Sequence, residues 1–148
     1  MNDKNWNIRK RKVKALFDKW VQIMGLGWYE IIYEWKAGDG GSDPDDGFTR
    51  CMDVRSRWEY RTATIRIWLE EFPEITEPKW ERKVERMIVH ELVHIFLQPL
   101  RHEKYDVEKE EYTTESLATA FIWVRDEGRP AKVNAIKTSK KVNKNVKK

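Results

Sequence analysis

Two histidines four residues apart, with a glutamate beside the first, are the feature that most restricts what this chain can fold into. They are His90 and His94, and the glutamate is Glu91. On an α-helix, side chains at positions i and i+4 lie on the same face, about one turn apart. The two imidazoles can therefore offer nitrogen ligands to one tetrahedral Zn²⁺, with Glu91 placed to take a proton from water. The motif predicts a metal site on a helix.

The residues around the motif favour a helix from about 78 to 98. Apolar side chains recur there at three- and four-residue steps: Val84, Ile88, Leu92 and Ile95. The second half is apolar on nearly every side, which predicts a helix that is buried over most of its surface. Unpaired polar groups in such a wall would cost about 1–3 kcal/mol each. A metal ion would satisfy them; hydrogen bonds from both histidines to backbone or carboxylate groups are the alternative.

A third ligand is available in a second predicted helix, which includes residues 109–122. Glu115 lies centrally on this helix among small residues, where the first helix could pack closely. We predict Glu115 as the ligand and keep Glu111 in reserve. Glu110 and Glu111 are nearer the helix start, where the helix dipole alone favours carboxylates. A solvated acidic first turn is therefore the alternative for both.

The H-E-x-x-H motif, followed about twenty residues later by Glu115 in an E-x-x-A-x-x-F pattern, resembles the gluzincin metallopeptidases. It is most similar to the minimal single-domain enzymes of phages and prophages, which are related to proteases that cleave a repressor. The resemblance covers residues 61–125. It implies a zincin-like fold, Zn²⁺ held by His90, His94 and Glu115, and Glu91 as general base. Larger thermolysin-like members place an aspartate where this chain has Thr119.

Residues between the two helices are candidates for stabilising a developing oxyanion. By resemblance to thermolysin-like enzymes, which carry a tyrosine about this far past the second histidine, Tyr105 is the predicted donor. His102 follows His94 by eight residues without the glycine that metzincins place between their ligands, so it is not a predicted ligand. Simple surface positions are the alternative for both residues.

The rest of the chain predicts an α+β domain over residues 1–128. Helical spacing of apolar residues indicates a helix at 6–24, ended by Gly25-Leu26-Gly27. Segments rich in β-branched and aromatic residues predict strands at 28–36, 48–57 and 60–70. We expect an N-terminal helix, a small and mainly antiparallel three-stranded sheet, and two C-terminal zinc-bearing helices.

The third predicted strand is the candidate for binding substrate. Its residues alternate between apolar and polar with period two, and the polar set is Thr62, Thr64, Arg66 and Trp68. Gluzincins line their cleft with an edge strand at this position, and the resemblance therefore implies that a peptide adds to it by backbone hydrogen bonds. An ordinary interior strand is the alternative.

Composition and charge bear on location and partners. The single cysteine, Cys51, excludes an intramolecular disulfide, and no apolar run is long enough to span a membrane. A cytoplasmic protein that does not contact a membrane is expected. The net charge of +4 includes eight basic residues and no acid at 129–148, so this stretch is a predicted disordered tail. The tail could hold nucleic acid or an acidic partner, or simply aid solubility.

These patterns predict a zinc-dependent endopeptidase that hydrolyses a polypeptide substrate with a metal-activated water and Glu91 as general base. The alternative is a non-catalytic module with a structural zinc ion, whose basic tail docks nucleic acid or an acidic partner. Glu91 separates the two, because a purely structural site needs no carboxylate there.

Overall fold

A computed structural model describes residues 3–38, 40, 50–101 and 106–127. Within these ranges lie three α-helices and three strands: α1 (Asp3–Ile23), β1 (Glu30–Lys36), β2 (Met52–Arg57), β3 (Thr62–Trp68), α2 (Trp80–Leu97) and α3 (Val107–Glu127). The predicted α+β class is confirmed, with an N-terminal helix, a small three-stranded sheet and two C-terminal helices. The predictions for the tail at 129–148 and for Tyr105 and His102 lie outside the described residues.

The sheet is mixed, and the expectation of a mainly antiparallel sheet was wrong. Its strand order is β1-β3-β2; β2 pairs antiparallel with β3, while β1 pairs parallel with it. Only the short turn Trp58–Tyr60 and Arg61, at a left-handed φ of 53°, separate β2 from β3. A connection of that length makes sequence neighbours antiparallel. β1 lies on the opposite side of β3 from β2 and runs in the same direction as β3.

β3 is the central strand, and this corrects the prediction that it forms the edge of a cleft. Its register pairs Ile65 with Tyr33 of β1 and with Val54 of β2. Both sides of its backbone are thus engaged in the sheet, so no peptide can add to it. Within the described part of the chain, the outer strands of the sheet are β1 and β2.

The hydrophobic core lies on one face of this sheet. Ala63, Ile65 and Ile67 of β3 are buried with α1 and α2 residues, and the alternate side chains of β3 point to the opposite, half-buried face. Full burial of a large aliphatic side chain contributes about 1.5–3 kcal/mol. α1 contributes Phe17 and Trp20 to the core. It ends as predicted, since Leu26 N donates to Val21 O at 2.9 Å around Gly25.

α2 and α3 pack side by side in opposite directions, and polar contacts connect them along their length. Arg82 meets Asp126 at 3.6 Å at one end, and His94 meets Glu110 at 2.7 Å at the other. Arg86 pairs with Glu115 between them. This antiparallel pairing decides which carboxylates of α3 face the histidines of α2.

Within the described ranges, no helix combines the length and the apolar character needed to cross a membrane.

Candidate metal centre

α2 brings the two motif histidines together as the spacing predicted. His90 Nε2 and His94 Nε2 lie 3.2 Å apart, on rings that meet nearly edge to face. Two imidazole nitrogens that face each other across this gap leave at least one lone pair directed into the space between them. The arrangement suits a metal ion that both nitrogens could bind.

Glu111 of α3 lies beside both histidines. We call His90, His94 and Glu111 the metal group, after the ion that they could hold. Its Oε2 lies 3.3 Å from His90 Nε2 and its Oε1 lies 3.3 Å from His94 Nε2. The three side chains offer ligand atoms that all lie within 4.8 Å of one another. Zinc bonds of about 2.0–2.1 Å in a tetrahedron require ligands separated by about 3.3–3.4 Å. The gap of 3.2 Å between the two imidazole nitrogens is close to that separation, and each oxygen of Glu111 lies at a similar distance from one of them.

Glu115, the predicted third ligand, is not part of this group, and Glu111, the reserve candidate, lies there instead. Glu115 Oε2 is 3.5 Å from His90 Nδ1, the ring nitrogen that is not part of the metal group, and its Oε1 pairs with Arg86. Burial would raise the pKa of Glu115, but Arg86 and His90 outweigh it and hold the pKa below its usual range. Glu111 and Glu115 are about one helical turn apart. The side chain of α3 that meets the two histidines is therefore one turn nearer the start of the helix than predicted.

Glu110 orients His94, a role that sequence reasoning missed. Its Oε1 accepts from His94 Nδ1 at 2.7 Å, and Arg101 Nε donates to its Oε2 at 2.8 Å. The carboxylate fixes the proton on Nδ1 and leaves Nε2 free as a ligand. The side chain is only 7% exposed, so a solvated first turn was the wrong expectation for Glu110. A signal existed: Glu110, Thr114, Ala118 and Ile122 follow one another at four-residue steps on the buried face of α3.

Glu91 borders a cleft of about 250 Å³ next to the metal group. The start of β2 forms one side and α2 and α3 the other, and the lining is Arg50, Cys51, Met52, Arg86, Met87, His90, Glu91 and Glu115. Burial raises the pKa of Glu91 to about 8, and the negative charges of Asp53 and Glu111 add to the effect. A carboxyl that is costly to ionise until a cation arrives is suited to act as a base beside a metal.

The predicted substrate residues are not at this cleft. Thr62, Thr64, Arg66 and Trp68 lie on the sheet face opposite the buried Ala63, Ile65 and Ile67, and among the described residues they do not line it. Arg66 instead donates through Nε to Asp53 Oδ1 at 2.7 Å and lies over the Trp68 ring. The period-two alternation was correct, but the strand holding it is interior.

No family model, curated protein or solved structure matches this chain.

Proposed function

We propose that the protein is a zinc-dependent endopeptidase. The observation that carries the proposal is the convergence of two imidazoles and one carboxylate, whose ligand atoms lie within 4.8 Å of one another, with Glu91 beside them in a cleft. Two histidines and one glutamate are a donor set typical of catalytic zinc, which keeps its fourth position open. A structural zinc site has four protein ligands, and the described residues offer three.

His90, His94 and Glu111 would hold the ion, which when bound polarises a carbonyl group and lowers the pKa of water. Glu91 accepts the proton of the attacking water and later transfers it to the leaving amine nitrogen. Glu110, held by Arg101, keeps the His94 ring oriented through its Nδ1–H. Because a nearby cation favours the charged form of a carboxyl, the raised pKa of Glu91 belongs to the metal-free chain.

The substrate would be an extended polypeptide added to β2. The outer edge of β2 pairs with no strand within the part of the chain that the structure describes. β2 begins at Met52, which lines the cleft beside Glu91. Backbone hydrogen bonds to this edge would position a peptide across the metal group. We therefore assign to β2 the substrate-binding role first predicted for β3.

We also propose that the protein is cytoplasmic.

Glu91→Gln tests the assignment of the base. The metal-loaded variant should lose about 10²–10⁴-fold in kcat on an unstructured peptide, because the amide cannot accept the proton. Its metal content, measured by elemental analysis, should stay that of the wild type, since Glu91 is not one of the three ligands. The control is Glu81→Gln, an exposed glutamate in the first turn of the same helix. Normal cleavage by the Glu91 variant would show that another group is the base.

Removal of the metal distinguishes a catalytic from a structural ion, and so tests the alternative of a non-catalytic module. We expect a chelator to abolish cleavage while the far-ultraviolet circular dichroism and the cooperative thermal transition persist. The reason is that the core of α1, α2 and β3 is built from apolar side chains and does not include the metal ligands. Unfolding on chelation would instead indicate a structural ion, as in zinc-dependent folds.

A further inference from the structure

A second cavity of about 470 Å³ lies between α2 and α3. Four cations and one acid contribute to its wall: Lys79, Arg82, Lys83, Arg86 and Asp126. Trp123, whose side chain is 62% exposed, and the buried Ile122 supply its apolar part. We call this cavity the basic cleft.

The basic cleft adjoins the cleft of the metal group. Arg86 lines both cavities. Along α2, Arg82, Arg86 and His90 follow at four-residue steps on one side of the helix, and α3 faces them with Asp126 and Glu115. The two clefts therefore adjoin along the α2–α3 seam, with Arg86 at their boundary. We call the two together the groove.

The wall of the basic cleft has an excess of positive charge. Three of its four cations, Arg82, Lys83 and Arg86, each lie beside a carboxylate. Lys79 has no ion pair with another residue that the structure describes. An acidic ligand would gain from these cations, and an exposed indole offers it a flat apolar surface.

We propose that the basic cleft is a substrate subsite that selects polypeptides with an acidic residue next to a large apolar one, a short distance from the scissile bond. The inference rests on the proposed peptidase function. Along α2, Arg86 is about 6 Å and Arg82 about 12 Å from His90, at 1.5 Å per residue. An extended peptide covers about 3.3 Å per residue, so the acidic residue lies about two to four positions from the cleaved bond.

A peptide suits this groove better than a nucleic-acid strand does. Glu111 and Glu115 stand immediately beyond Arg86, with side chains 51% and 44% exposed. A chain of phosphates running through the groove would meet these carboxylates after leaving the basic cleft. A peptide needs to carry its negative charge at one position only.

The test is a series of quenched fluorescent peptides with one cleavable bond in a neutral sequence. A single Asp is moved from position one to position six on each side of that bond, with either Leu or Ala beside it, and a matched series carries Lys instead. The metal-loaded full chain should cleave the best Asp peptide with a kcat/KM about fivefold above its Lys counterpart, mainly through KM. Arg82→Glu should reverse this ratio, and Trp123→Ala should remove the benefit of an apolar neighbour. Arg11→Glu, on an exposed helix surface outside both cavities, should keep the wild-type ratio.

Each result has a defined meaning. A ratio reversed by Arg82→Glu supports the subsite, whereas cleavage with the same rate for Asp and Lys peptides overturns it and leaves the peptidase function standing. If no peptide is cleaved, the proposed function fails, and binding to the metal-loaded Glu91→Gln variant is measured by fluorescence anisotropy. Binding of the Asp peptide that is lost in Arg82→Glu would still support an acidic-peptide site. Stronger, competing binding of a single-stranded oligonucleotide would overturn it.

Discussion

Each histidine of the metal group contacts a carboxylate through its second nitrogen, but the two carboxylates differ in their surroundings. Glu110, at His94 Nδ1, has a side chain that is 7% exposed and is also held by Arg101. Glu115, at His90 Nδ1, is 44% exposed and 3.5 Å away. The short, buried and charge-assisted hydrogen bond of His94 to Glu110 is stronger than the exposed contact of His90 with Glu115 at 3.5 Å. His94 is thus the better fixed of the two rings.

This difference predicts unequal losses of metal affinity. Glu110→Gln should weaken binding of Zn²⁺ by about 10–100-fold, the usual effect of removing a carboxylate behind a ligand histidine. Glu115→Gln, its matched control on the same helix, should weaken binding less. Competition with a chromophoric chelator measures both constants at neutral pH. Equal losses would mean that Glu115 orients His90 as firmly as Glu110 orients His94, and a larger loss in Glu115→Gln would mean that Glu115 ligates the metal, as the sequence first suggested.

α2 serves two purposes as an element, because one side of it carries the metal ligands and the rest enters the core. Ile88, two residues before His90, is fully buried, together with Val84, Val89 and Leu92. Close packing around these side chains fixes the rotation of the helix about its axis. The core therefore determines where His90 and His94 point.

Truncation inside this helix should destabilise the fold. Ile88→Ala should lower the free energy of unfolding by about 2–5 kcal/mol, since it removes buried methyl and methylene groups and leaves a cavity. Ile23→Ala removes the same groups at a position that is 49% exposed, and should cost less than about 1 kcal/mol. Urea unfolding of the two metal-free variants makes the comparison. A similar loss for both would contradict the position of Ile88 in the core.

What the sequence could predict at this scale divides into local and non-local features. The spacing of His90 and His94 and the period of α2 are local, and they follow from helix geometry alone. The choice between Glu111 and Glu115 depends on the position of α3 along the axis of α2. The residue pattern within either helix does not predict that position. The same holds for β3: its alternation shows one buried face, but an edge strand and a central strand can share that pattern.

In the whole molecule, Glu85 connects all three helices. It lies on α2 and accepts from Lys19 Nζ at 2.6 Å and from Trp20 Nε1 at 3.3 Å, both on α1. From α3, Arg125 Nη1 approaches its Oε1 at 2.5 Å. A buried carboxylate with cations on two sides favours one arrangement of the three helices over alternatives that would leave it unpaired. That arrangement includes the α2–α3 packing on which the metal group depends.

The connection at Glu85 predicts how stability changes with pH. Burial would raise the pKa of Glu85, but hydrogen bonds from Lys19 and Arg125 outweigh it and hold the pKa below its ordinary value of 4.5. A depressed pKa in the folded state contributes stability above about pH 4.5, and this contribution is lost as the pH falls through the folded value. Glu85→Gln should therefore be about 1.5–3 kcal/mol less stable at pH 7, and the deficit should shrink as the pH falls towards 3.

Urea unfolding of the metal-free chain from pH 7 to pH 3 measures this deficit without a contribution from metal binding. Glu81→Gln, which alters an exposed carboxyl of the same helix, should follow the wild-type profile throughout. If the Glu85→Gln deficit kept the same size over the whole range, it would reflect lost packing, and the charge of Glu85 would not be what holds the three helices together. Because a partner ion must be ionised to act, a deficit that shrinks only in acid identifies the carboxylate itself as the connection between α1, α2 and α3.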